Sequence, residues 1–126
     1  MTAALLVALG GALGSLARWA LSGWVLENTL GWRFPAGTFL VNLIGCLVIG
    51  VLAGLAIKHD LFSTDTRLFL FTGICGGFTT FSTFGLDTFY LLRRSEIAVA
   101  GGYVAGSVVF GLLAVWLGYA VVSGRG

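Results

Sequence analysis

The sequence predicts an all-α membrane protein of four transmembrane helices, the third of them broken at mid-membrane depth. Three observations carry this. The chain of 126 residues is 58% hydrophobic and 10% charged, against about 25% charge in an ordinary soluble domain. Its mean hydropathy is +1.02. Its apolar runs fall at about 5–26, 37–57, 68–92 and 97–122, each near or above the roughly 20 residues that a helix needs to cross a bilayer.

The first run lacks a basic stretch before it and passes through Arg18 and Trp19 without a small-residue cleavage site. It therefore reads as a span, not a cleavable signal. Gly10 with Gly14, and Gly11 with Ser15, repeat small residues four apart, as do Gly50 with Gly54 and Gly102 with Gly106. Such pairs let helices approach closely in lipid. Pro35, the sole proline, precedes the second span, where its missing N–H costs nothing. Asn42 is the one amide deep in that span and requires partners there. Ser63 or Thr64 is placed to cap the third span. Arg93 to Glu96 forms a tight turn into the fourth.

The third span is poor helix material at its centre. Gly73, Gly76 and Gly77 are followed by Thr79, Thr80, Ser82 and Thr83. Glycine and β-branched residues both disfavour helix. A break at membrane depth frees backbone groups, which are tolerated only when buried in protein or lining a watery cavity. Ion and substrate sites form at such breaks. Phe78, Phe81 and Phe84 recur at helical spacing beside Thr79 and Ser82, which predicts an aromatic face next to a hydroxyl face.

Two ionisable residues lie within spans, Arg18 and Asp87. Such residues are costly in lipid and usually functional. Both lie toward the same face, so they are expected either to pair or to leave Arg18 supplying positive potential at a mouth for anions. Tyr103 and Ser107, four apart on the fourth span, extend a track of neutral donors with Ser82 and Thr83. Neutral donors beside aromatic edges suit an anion, because ring edges are electropositive. The carbonyls freed near Gly76 and Thr79 are placed to hold one cation structurally. Cys46 and Cys75 read as small packing residues, and His59 as a lone loop residue. No nucleophile–base pair, metal-ligand spacing or basic cluster points to an enzyme or to nucleic acid.

Charge leaves orientation open. Lys58, Arg67 and Arg125 fall on one side, and Arg33, Arg93 and Arg94 on the other. The Lys and Arg bias that sets topology is therefore balanced. Four helices hardly enclose a polar path alone. Two copies inserted in opposite directions would form one at their interface, as inverted repeats do in larger transporters. Trp19, Trp24, Trp32 and Tyr90 gather toward one membrane face, with Trp116 and Tyr119 toward the other.

Four stretches then match one family in order. They are Gly11 to Trp19, Gly37 to Gly45, Gly76 to Phe84, and Gly102-Tyr103 with Ser107. Through them the chain resembles the Fluc (CrcB) fluoride channels over nearly its whole length. The resemblance implies an antiparallel dual-topology homodimer in the cell membrane, with two pores that conduct fluoride passively outward and so lower its toxicity. It implies a structural sodium ion at the dimer centre, held by the backbone carbonyls of Gly76 and Thr79. It assigns the fluoride path to Asn42, Phe81, Phe84, Ser82, Thr83, Tyr103 and Ser107. Some relatives carry one more hydroxyl a turn past Ser107, where this chain has Gly111. The competing readings are a proton-coupled multidrug exporter, which needs a membrane-embedded carboxylate that only Asp87 offers, and a non-transporting scaffold subunit.

Overall fold

The computed structural model describes residues 1–124, and Arg125 of the charge comparison lies outside them. The described residues form helices with no strand. Helix α1 spans Thr2–Asn28, α2 Ala36–Lys58 and α6 Ile97–Ser123. Between them the third crossing is composite. It comprises α3 (Thr64–Arg67), a π-helical segment (Leu68–Cys75), α4 (Gly76–Phe78) and α5 (Phe81–Arg93). Four helical stretches are long and apolar enough to cross a membrane, Thr2–Asn28, Ala36–Lys58, Thr64–Arg93 and Ile97–Ser123. The chain is a multi-pass membrane protein.

Pro35 stands immediately before α2, and its carbonyl accepts from the Phe39 N–H at 3.2 Å. Ser63 caps α3 through its Oγ, which accepts from Thr66 N–H at 3.2 Å. The turn from α5 to α6 closes with Ser95 at φ 61°, Ser95 N–H bonded to Leu92 O, and Glu96 N–H bonded to Leu91 O.

Two seams hold the molecule together. In one, α1 lies against the π segment and α4; in the other, α2 lies against α6. Glycine makes both possible. A Cβ at Gly14 would collide with Ile74 O and come within 2.8 Å of Phe78 N. One at Gly50 would collide with Val115 O, and one at Gly118 with Leu47 O. The main chains therefore touch directly, as association in lipid requires. The Gly102–Gly106 pair does not act this way. A Cβ at Gly102 meets nothing within 4 Å, and one at Gly106 meets only Phe39 and Phe110 side chains. Gly11 likewise has open space beside it, although its main chain receives Gly77.

Few side chains are buried. Val41, Leu91 and Tyr103 are the largest that are fully enclosed, and apart from the Tyr103 phenol no polar or charged side chain among the described residues is buried in full. Large apolar residues on every long helix point outward, as expected of surfaces that lipid or a second copy covers.

Candidate functional site

The third crossing breaks at Thr79 and Thr80, not at the glycines. Thr79 has φ −85° and ψ 157°, and Thr80 φ −148° and ψ 121°, both extended. Gly73, Gly76 and Gly77 stay helical. The threonine side chains stabilise the break. Thr79 Oγ1 donates to Cys75 O at 2.9 Å, beside the Thr79 N–H bond to the same carbonyl at 3.0 Å. Thr80 Oγ1 accepts from Thr83 N–H at 3.2 Å and so caps α5. Because Phe78 precedes the break and Phe81 follows it, the three phenylalanines do not share one helical face. Phe78 turns toward Gly45. Phe81 and Phe84 remain a pair, with ring centroids 5.6 Å apart.

Asn42 meets the break from α2. Its Nδ2 donates to Thr80 O at 2.9 Å, and its Oδ1 accepts from Thr80 N–H at 2.8 Å. Both polar ends of the amide are thus used on one residue. Arg18, on α1, donates through Nε to Gly77 O at 3.0 Å. Asp87 accepts from the Tyr103 hydroxyl at 3.2 Å. Arg18 and Asp87 therefore do not pair. Their depth along the spans is similar, but they face different neighbours.

The freed carbonyls follow by bookkeeping of the helical ladder. In an unbroken helix Thr80 N–H would bond to Gly76 O, and Thr83 N–H to Thr79 O. Here those two donors go to Asn42 Oδ1 and Thr80 Oγ1. Gly76 and Thr79 thus lose their helical donors. On the other side of the break, the opening N–H groups of α5 have no acceptor within their own helix. The break presents carbonyl oxygens from one half and the positive end of a helix from the other.

A groove of about 420 Å³ opens at this point. Its lining includes Asn42, Gly76, Thr79, Phe81, Phe84 and Ser107, which the sequence had singled out. Thr80 also lines it and went unselected. The helix-capping preference of threonine after a glycine-rich stretch was the signal that pointed to it. Ser82 lies beside the groove with Oγ 3.4 Å from Thr80 Oγ1. Thr83 contributes its N–H to the cap.

Tyr103 does not line the groove. It is fully buried, against Phe34 at 5.4 Å and Phe84 at 5.0 Å between ring centroids. Its hydroxyl proton is committed to Asp87, so Tyr103 supports Phe84 from behind. Gly111 is buried, and a Cβ there would sit 3.5 Å from Cys46 Sγ, an ordinary contact. Its place is the α2–α6 seam. Cys46 and Cys75 are free thiols that line the groove.

Four crossings, a discontinuous third helix and a mainly apolar groove with a few polar groups at its break describe a small multi-pass membrane protein of the kind in which broken helices form ion or substrate sites. Comparison with known proteins narrows this. The family model described as "CrcB-like protein, Camphor Resistance (CrcB)" matches residues 5–119. A "Fluoride-specific ion channel FluC" of Methylobacillus flagellatus is 58% identical over 118 residues, covering 94% of this chain and 92% of the relative. Proteins of the same description from Nitrobacter winogradskyi and Opitutus terrae are 50% and 48% identical, covering 94% and 98% of this chain and 93% and 95% of theirs. The chain belongs to the CrcB family, whose named relatives are ion channels and not enzymes.

Proposed function

We propose that this chain is a fluoride-selective channel that lets fluoride leave the cell passively across the cell membrane. The observation that carries the reading is the break itself. An anion entering the groove meets the N-terminal end of α5, the exposed edge of Phe81 and the rim of Phe84, with neutral hydroxyls of Thr80, Ser82 and Ser107 nearby. Helix N-termini favour anions, ring edges are electropositive, and small hydroxyls replace lost water. Fluoride holds its water tightly, so only a dense donor set compensates its dehydration. A negative interior assists the exit of one charge by about 2.3 kcal/mol per 100 mV.

Phe81 is 83% exposed and the groove is open on one side. A second copy inserted in the opposite direction closes it, and each copy then contributes one wall to each of two pores. Asn42 holds the wall in place, Thr83 completes the cap, and Tyr103 with Asp87 fixes the tilt of Phe84. Arg18 adds positive potential and neutralises Gly77 O at the edge of the site.

A structural sodium ion suits the donors present. Hard monovalent cations prefer oxygen ligands. The carbonyls of Gly76 and Thr79 are two of those at the break whose helical donors have turned away, and the same two from the second copy would join them. Bound there, the ion offsets the clustered carbonyl dipoles at the centre of the dimer.

The test is fluoride efflux from liposomes holding the purified chain, compared with chloride, with and without sodium. Fluoride efflux at least tenfold faster than chloride, and its loss in Phe81→Ile, is the expected outcome. Vesicles that stay sealed to fluoride, with the protein shown to be inserted, overturn the proposal. A second copy is checked by cross-linking, and its orientation by N-terminal tags: oppositely oriented copies leave one tag accessible from each side of the membrane.

A further inference from the structure

At the end of the bundle opposite Met1, the α1–α2 connection meets the α5–α6 turn. Trp32, Arg33, Arg94 and Glu96 line a cleft of about 270 Å³ there, separate from the groove at the break. The cleft holds two guanidinium groups against one carboxylate, so the Arg33–Glu96 ion pair leaves one positive charge in excess. Arg33 Nε lies 3.5 Å from Glu96 Oε2, long for a charge-assisted hydrogen bond. Glu96 Oε2 is enclosed and accepts no hydrogen bond. A buried acceptor left without a donor is expensive. The Arg33 side chain is 75% exposed, so much of its guanidinium faces outward. Arg94 is exposed and enters no ion pair among the described residues.

Depth decides what reaches this cleft. Trp32 is 62% exposed, on the same end as Trp24 and Tyr90. A band of exposed indole and phenol rings marks the headgroup layer of the bilayer. A ligand that completes the site brings anionic oxygen to two guanidinium groups and a hydrogen-bond donor to one carboxylate. A phospholipid headgroup does both when its phosphodiester is followed by an ammonium or hydroxyl. Bidentate guanidinium contacts suit phosphate oxygens.

We propose that this cleft binds one such phospholipid. The phosphodiester lies against Arg33 and Arg94, the headgroup donor reaches the Glu96 carboxylate where its side chain, 25% exposed, opens to the cleft, and Trp32 packs beside the upper acyl chains. Phosphatidylethanolamine and phosphatidylglycerol both carry the required donor. Phosphatidylcholine carries the phosphate without an N–H or O–H, and is the discriminating control.

The experiment is native mass spectrometry of the full-length chain after delipidation, titrated separately with the three lipids. Phosphatidylethanolamine and phosphatidylglycerol should each be retained roughly tenfold more tightly than phosphatidylcholine. Arg33→Ala and Arg94→Ala should each weaken retention of all three lipids. Glu96→Ala should erase the preference over phosphatidylcholine. Millimolar inorganic phosphate should not displace the lipid. Equal retention of the three lipids by the unaltered chain overturns the proposal, whatever the variants do. So does unchanged retention in the folded Arg33→Ala/Arg94→Ala double variant, or displacement by inorganic phosphate, which would mark a site for soluble anions.

Discussion

The two halves of the third crossing are built from similar residues and behave differently. The half before the break, from Leu68 to Phe78, is seated main chain to main chain against α1. A Cβ at Gly10 would come within 2.6 Å of Phe69 O and 2.9 Å of Gly73 Cα, and the collision at Gly14 is worse. The half from Phe81 to Arg93 rests mainly on α6. Much of it looks outward: Phe81, Leu86 and Phe89 are all exposed. One half is therefore an anchor, fixed by backbone approach. The other offers side chains to a groove and is held at its first residues by Asn42 and Thr80. Separating these tasks leaves the outward-facing residues of α5, such as Phe81, Leu86 and Phe89, free to vary without loosening the anchor.

Four substitutions test that division, from the largest effect to the smallest. Gly14→Val drives a branched side chain into Ile74 O and Phe78 N. It should cost more than about 3 kcal/mol, visible as loss of a monodisperse species on heating in detergent. An anchor that tolerated it would end the comparison. Asn42→Ala strips both partners from the Thr80 peptide groups. Leaving them unpaired should cost about 2–3 kcal/mol and abolish flux, read by thermal unfolding and by liposome efflux on the same preparation. Thr80→Ala removes the α5 cap and should cost about 1 kcal/mol, with hydrogen exchange rising in the first turn of α5 and not in the π segment. Ser95→Gly relieves a left-handed residue at φ 61°. It should stabilise by about 0.5–1 kcal/mol and leave flux unchanged.

Much of this was legible before any coordinates. Hydropathy located the four crossings to within a few residues, because lipid permits no other way to satisfy so apolar a backbone. The Gly10–Gly14 and Gly50–Gly54 pairs announced the seams. Asn42 announced that a polar partner lay opposite it. Other features were hidden for physical reasons. Glycine and β-branched residues both lower helix propensity, so the sequence located the break within Gly73 to Thr83 without saying which residues leave the helix. In place, Gly76 and Gly77 remain helical because α1 needs the space beside Gly77, while Thr79 and Thr80 satisfy an extended turn with their own hydroxyls. Arg18 and Asp87 share a depth, but depth says nothing about direction around a helix, and each found another partner. Gly102 and Gly106 resemble Gly10 and Gly14 in spacing, yet nothing in the chain closes on Gly102. The π winding of Leu68–Cys75 has no compositional mark at all.

The paired bonds between Asn42 and Thr80 have a wider consequence. An amide that donates to a residue's C=O and accepts from the same residue's N–H reproduces one rung of an antiparallel ladder. Extended backbone inside a bilayer ordinarily demands a closed barrel, because every strand needs a neighbour. Here a single uncharged side chain plays the neighbouring strand for one residue. Since that rung carries no titratable group, its strength is indifferent to acidity on either side of the membrane.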